Sequence, residues 1–199
     1  MKFFETSKYF QLNKPTYINL RWITIIGQLF TINLVAFFFK FDFNFILSNF
    51  VILIGVFLNF YLMYFYKENY LTNKFSFFFL NIDIFQLSFL IYLTGGITNP
   101  FIVFIIIPCI FSSTNLDIKA NLLLVFITIS SIVFLTFFYK NLPGNLSSHF
   151  HVSDYYYYSV PLALSIALVF LNYFGLKFGS EAKIRKEALN KMEEMIAKE

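Results

Sequence analysis

The sequence predicts an all-α, polytopic membrane protein with six transmembrane helices followed by a cytoplasmic linker helix, and three observations carry that prediction. Of 199 residues, 58% are apolar and 23% aromatic while only 13% are charged, too little polar surface for a water-soluble domain. The apolar residues gather in runs close to the roughly 20 residues that a helix needs to cross a hydrocarbon core about 30 Å thick. These runs are continuous rather than alternating, which suits helices that satisfy their own backbone and speaks against a barrel. One cysteine, Cys109, excludes an internal disulfide framework. The net charge of +4 lies between apolar runs rather than in a patch, so no nucleic-acid partner is expected and the charge is read for topology.

Residues 1–19 form a cytoplasmic tail. The apolar runs cover about Leu20–Phe39, Phe45–Tyr66, Phe75–Leu93, Phe101–Ser113, Ala120–Tyr139 and Tyr156–Leu176, the fourth being shorter than a full crossing. The first ends on the aromatic and charged stretch Phe37 to Phe43 rather than on small residues, so it reads as an anchor and not as a removed signal peptide. Lys2, Lys8, Lys14, Arg21, Lys67, Lys74, Lys119, Lys177, Lys183, Arg185, Lys186, Lys191 and Lys198 fall on one side of the membrane. Lys40 and Lys140 alone fall on the other, thirteen against two. Positive loops stay inside, so both termini are expected in the cytoplasm and the lipid bilayer is the first partner. Trp22 beside Arg21, and Tyr155 to Tyr158 ahead of the last run, stand where interfacial aromatic belts occur, while most of the 31 Phe read as lipid-facing filler.

Between the third and fourth runs lies Gly95-Gly96-Ile97-Thr98-Asn99-Pro100-Phe101, a connection without charge. Two glycines can end a helix through a left-handed residue, Asn99 can cap the next helix, and Pro100 suits a first helical position. That makes a good tight turn. The same residues also suit a ligand: glycines bring bare backbone close, and a helix N-terminus directs unpaired N–H groups at, for example, a quinone carbonyl.

Asp83 stands inside the third run, where a carboxylate costs several kcal/mol unless paired, hydrated or protonated. Gln86 shares its helix face. The two form either a proton-linked or quinone-adjacent site or an interhelical hydrogen-bonded pair that fixes packing. Packing is favoured, because no second intramembrane charge stands at an obviously matching depth; whether Arg21 reaches Asp83 is open. Asp83 lies about 18 Å along the helix from Gly95, too far for both to hold one short ligand. Cys109, which follows Pro108, reads as a small core residue beside a kink. His149 and His151 lack a third ligand beyond the loosely placed Asp154, so no metal site is expected.

Taken together, Arg21-Trp22 and Gly27-Gln28 in the first run, Asp83-Ile84-Phe85-Gln86-Leu87 in the third, Tyr92-Leu93-Thr94-Gly95-Gly96 leading out and Asn99-Pro100-Phe101 leading into the fourth resemble the sensor part of the RegB/PrrB family of redox-responsive histidine kinases. That family carries a GGxxNPF heptapeptide, associated with ubiquinone sensing, in a six-helix membrane domain, and Gly95, Gly96, Asn99, Pro100 and Phe101 fill its fixed positions. The resemblance is densest from Asp83 to Phe101; the last two runs match in hydropathy only. It implies a homodimer in the bacterial inner membrane with a ubiquinone-type quinone as ligand. The parent kinase would autophosphorylate on a histidine and pass the phosphate to a cognate response regulator. The family's regulatory cysteine belongs to its cytoplasmic part, so Cys109 does not inherit that role.

After Leu176 the composition changes. Gly179-Ser180 precede a charged helical stretch, Glu181 to Glu199, with Leu189, Met192 and Ile196 at spacings of three and four. Residues 177–199 therefore read as a linker or short coiled coil, or as an amphipathic tail on anionic lipid; the resemblance favours the linker. No His-Glu-Leu box followed by Pro occurs, nor any Asn-rich or Gly-rich ATP-binding motif, so ATP, Mg and phosphotransfer belong to a kinase core outside this chain. The chain ends where that core would begin, as either a fragment or a stand-alone sensor would. The competing readings are a small transporter, for which no clear internal repeat is seen, and a membrane enzyme of isoprenoid or quinone metabolism. The second would need paired acids, whereas Asp42, Asp83, Asp117 and Asp154 are dispersed.

Overall fold

The computed structural model describes residues 12–38, 43–140 and 154–196. Every regular element but one short ribbon is helical, as a chain without water around it requires. The ribbon pairs β1 (Leu12–Asn13) antiparallel with β2 (Tyr70–Leu71). Helix α1 (Lys14–Phe37) starts earlier than the apolar run that announced it, because Asn13 caps it by accepting from the Thr16 amide at 3.1 Å and Pro15 occupies its first turn. The Lys14 ammonium donates to the Tyr66 carbonyl, which fastens the start of α1 to the turn after α2 (Phe45–Tyr64). Helix α3 (Asn73–Leu93) is central: it packs on α2, α4 and α5.

The fourth run is where the structure departs from an ordinary helix. A 3-10 turn at Gly96–Thr98 is followed by a 3-10 segment, Pro100–Ile106, and only then by α4 (Ile107–Asn115). Pro108 helps to place that boundary, since it has no N–H for the Phe104 carbonyl and the Ile107 amide bonds it instead, three residues away. Five β-branched residues, Ile102, Val103, Ile105, Ile106 and Ile107, add their dislike of the α-helical turn. A 3-10 helix rises about 2.0 Å per residue against 1.5 Å, so Pro100–Asn115 reaches about 27 Å, nearly the depth of a hydrocarbon core. Five helices, α1, α2, α3, α5 (Ile118–Phe137) and α6 (Asp154–Ile196), are long and apolar enough to cross a membrane; the fourth expected span corresponds to this shorter composite, which is not among them.

Helix α6 joins two segments that the sequence distinguishes by composition. The last span and the charged linker are one continuous helix of 43 residues, unbroken at Gly179-Ser180 and containing Pro161. It packs on α4, α5 and the two 3-10 elements. Its Gly175 and Gly179, one turn apart, lie against Ser113 and Thr114 of α4, where any Cβ on Gly175 would collide with the Ser113 side chain and one on Gly179 would sit 3.3 Å from Thr114 Cα. Small residues of this spacing let two helices approach closely where lipid offers no hydrophobic drive.

Beside that contact lies a buried amide node. Asn121 of α5 donates to Asn172 of α6 at 2.9 Å and Asn172 donates back at 3.0 Å. Ser112 of α4 donates to Asn121 Oδ1, and Asn172 also donates to the Cys109 carbonyl at 3.2 Å. Cys109 itself is fully buried with Sγ 2.9 Å from Thr128 Oγ1, a packing residue as expected. His149, His151, Lys40 and Asp42 lie outside the described residues.

Gly175→Ala should lower the thermal midpoint of the detergent-solubilised chain, with an overpacking cost of about 1–3 kcal/mol. Gly27→Ala, where a Cβ would meet nothing within 4 Å, should leave it unchanged or raise it, since Ala favours a helix interior over Gly; circular dichroism melting reads both.

Candidate functional site

Two polar centres stand out, one between α1 and α3 and one at the loop that leads into the fourth run. In the first, Asp83 is paired. Arg21 Nη2 lies 3.0 Å from Asp83 Oδ1, and the Tyr17 hydroxyl donates to Asp83 Oδ2. The question that the sequence leaves open, whether Arg21 reaches Asp83, is thus answered: a long guanidinium arm starting nearer the helix end reaches in from α1. Tyr17 and Arg21 are one turn apart on α1, and both are 3% exposed. The Arg21 guanidinium carbon also stands 5.7 Å from the ring centres of Tyr17 and Phe79, so its charge is flanked by π faces as well as by a carboxylate.

Gln86 does not bond to Asp83. Its Nε2 donates to Gln28 Oε1 of α1 at 3.2 Å, and Gly55 of α2 makes the room, since a Cβ there would stand 2.6 Å from that nitrogen. Asp83 and Gln86 therefore each tie α3 to α1. Trp22, expected as an interfacial anchor, is half-buried and meets Phe60 edge to face at 5.2 Å.

The loop is a wound turn. Gly95 and Gly96 both have positive φ, 109° and 58°, conformations that side chains rarely adopt. Asn99 organises the entry into the 3-10 segment. Its amide donates to Thr94 Oγ1 at 2.6 Å and to the Thr94 carbonyl at 3.2 Å, while its Oδ1 accepts from the Phe101 amide at 2.9 Å. The Ile102 amide bonds the Asn99 carbonyl at 3.0 Å, and Pro100 has no N–H. The first donors of the 3-10 segment are thus spent on Asn99 rather than held out to a ligand.

Gly96 does approach something closely, but it is the end of α5 and the residue just beyond it. A Cβ on Gly96 would collide with the Tyr139 side chain and stand 2.9 Å from the Leu135 carbonyl. Gly95, Gly96 and Ile97 are buried and Asn99 is half-buried, while Pro100 and Phe101 are exposed. Phe101, 38% exposed, stacks on Phe104 with centroids 5.9 Å apart. Of the five heptapeptide residues, Pro100 and Phe101 present the accessible surface and the others hold it in place.

Sequence reasoning missed Tyr17, Tyr139, Asn121 and Asn172, and read Tyr157 only as part of an interfacial aromatic belt. Tyr139, just beyond α5, donates to the Tyr157 hydroxyl of α6 at 3.0 Å. Amides in the middle of apolar runs, as at 121 and 172, were the available signal. Among the described residues no three of His, Cys, Asp and Glu converge on a metal-sized site.

Removing one partner of the buried pair should be costly. Arg21→Met strands the Asp83 carboxylate and should destabilise the helical fold by about 3–5 kcal/mol, whereas Arg21→Met with Asp83→Leu should recover most of the loss. Unfolding in mixed micelles reads the difference between single and double variants.

No family model matches the chain, and no solved structure matches it. The chain is 29% identical over 175 residues to the sensor histidine kinase RegB of Cereibacter sphaeroides, an alignment covering 87% of this chain and 38% of that protein. The chain thus spans less than half the length of that relative. Over most of its length the chain is similar to RegB, in agreement with the resemblance to the sensor part of the RegB/PrrB family carried by its motifs.

Proposed function

We propose that the chain is the membrane sensor and linker of a two-component histidine kinase, dimeric in the bacterial inner membrane with both termini cytoplasmic, and that it responds to the redox state of the quinone pool. The observation that carries this reading is the similarity to RegB over 87% of the chain together with a complete GGxxNPF pattern at Gly95 to Phe101. Five membrane-length helices support a multi-pass sensor; with Pro100–Asn115 as a sixth crossing, α6's charged end would lie on the same side as the N-terminus. The parent protein would carry the phosphoacceptor histidine, bind ATP and Mg, and serve a response regulator.

In this reading a ubiquinone headgroup docks on the exposed Pro100–Phe101 edge, against the Phe101 and Phe104 rings, rather than on the helix N-terminus. The loop signals because oxidised and reduced quinone bind with different affinity; equal affinity would shift nothing. Asp83 and Gln86 serve as the frame that holds α1 to α3. Leu189, Met192 and Ile196, all more than half exposed along the end of α6, supply the apolar stripe for a second copy.

Saturable binding of a short-chain ubiquinone to the nanodisc-embedded chain tests the reading. Asn99→Ala and Phe101→Ala should each weaken binding at least about tenfold, equivalent to 1.4 kcal/mol, with helical content unchanged. Normal binding by both variants would reduce the heptapeptide to a turn and move the site elsewhere.

A further inference from the structure

The loop and the exit helix pack directly on each other and are also joined through one pair of bonded side chains. Gly96 lies directly against the Tyr139 ring, and Tyr139 in turn donates to the Tyr157 hydroxyl at 3.0 Å, with the two rings nearly parallel at 21° and centroids 6.4 Å apart. Tyr157 sits on the first turns of α6, ahead of Pro161. Pro161 cannot donate to the Tyr157 carbonyl, so the helix is softest where Tyr157 is carried. Further along, α6 is held by the reciprocal Asn121–Asn172 amides and by the glycine contacts of Gly175 and Gly179 on α4. The outer end of α6 thus carries a hydroxyl bond to the end of α5 beside the apolar contacts of Val160 and Leu164, and its middle is held by a firm clamp.

We propose that Tyr139 and Tyr157 form a latch that reads the backbone of the Gly95–Gly96 turn and sets the tilt of α6 about the Asn172–Gly179 clamp. Both glycines hold positive φ, so any rearrangement of the turn that moves Gly96 must move the Tyr139 ring that rests on it. The ring carries its hydroxyl with it, and the outer turn of α6 follows or lets go. With the clamp as fulcrum, a change of tilt emerges on the far side, along the segment that ends at Ile196. The neighbouring contacts favour this route, because α6 packs on α4, α5 and the 3-10 elements, the half of the bundle that carries the loop.

The latch deepens the sensor reading and rests on it for its natural signal, yet its test needs no ligand. Spin labels at Lys67→Cys and Leu189→Cys, in a Cys109→Ala background of the full chain in nanodiscs, report the tilt of α6 relative to the α2–α3 turn. Tyr139→Phe and Tyr157→Phe each remove the hydrogen bond and little else; both should shift or broaden the distance distribution by several ångströms, and the double variant should match either single one. Tyr158→Phe, on an exposed neighbouring position, should leave it as in the parent. Unchanged distributions in both latch variants, or a double variant showing the summed effect of two independent changes, would overturn the latch. Loss of quinone binding without a change in these distances, by contrast, would bear on the sensor site alone.

Discussion

Hydrocarbon offers no partner to a polar side chain, so every charge and amide placed at membrane depth must find one within the protein. The Arg21–Asp83 pair is the sharpest case. It joins α1 to α3 through long side chains, with Tyr17 taking the second carboxylate oxygen and the aromatic faces of Tyr17 and Phe79 flanking the guanidinium. Gln28 and Gln86 repeat the connection farther along the same two helices. In an apolar solvent such bonds select one rotation of α1 against α3, where apolar side chains alone would accept several.

The other half of the bundle uses a different device. There α4, α5 and α6 come together by removing side chains at Gly175 and Gly179 and by exchanging amide bonds at Asn121 and Asn172. The two devices are complementary. Close backbone approach needs a short contact surface and gains dispersion, whereas a reciprocal amide pair fixes registry at a single depth. Together they explain how a short composite such as Pro100–Asn115 keeps its place beside membrane-length neighbours.

How much of this was legible in the sequence depends on which signals are local. Apolar run length located all the helices, and the turn chemistry of Gly95, Gly96, Asn99 and Pro100 foretold a wound connection in which Asn99 does cap the 3-10 segment. The 3-10 winding of Pro100–Ile106 was not legible, because i to i+3 and i to i+4 helices share nearly the same apolar pattern and differ by how the carbonyls are shared around Pro108. Pairing was hidden for another reason. Position along the chain makes Arg21 an interfacial cation, but its side chain extends toward the depth at which Asp83 lies, and only three-dimensional packing says which way it extends. Asn121 and Asn172 look like isolated amides in the sequence, since fifty-one residues separate two groups that bond each other. The glycines of the loop suit a ligand by residue type, whereas in the fold it is Tyr139 that Gly96 meets.

These differences in bonding also decide where a weak signal can act. A ligand moves a conformational equilibrium only by its difference in affinity for two states, so it acts most readily on elements whose alternatives lie close in energy. The Arg21–Asp83 pair is a poor choice, since separating it would leave a buried charge alone. The Asn121–Asn172 pair is poor for the same reason in milder form. The loop is different: a seven-residue 3-10 segment has poorer hydrogen-bond geometry, two glycines upstream can change their backbone angles without a Cβ to obstruct them, and a phenol pair adds a directional bond to its packing on α6. The firm contacts hold the frame, and in the proposed sensor reading they leave the heptapeptide as the place where a few kcal/mol would suffice.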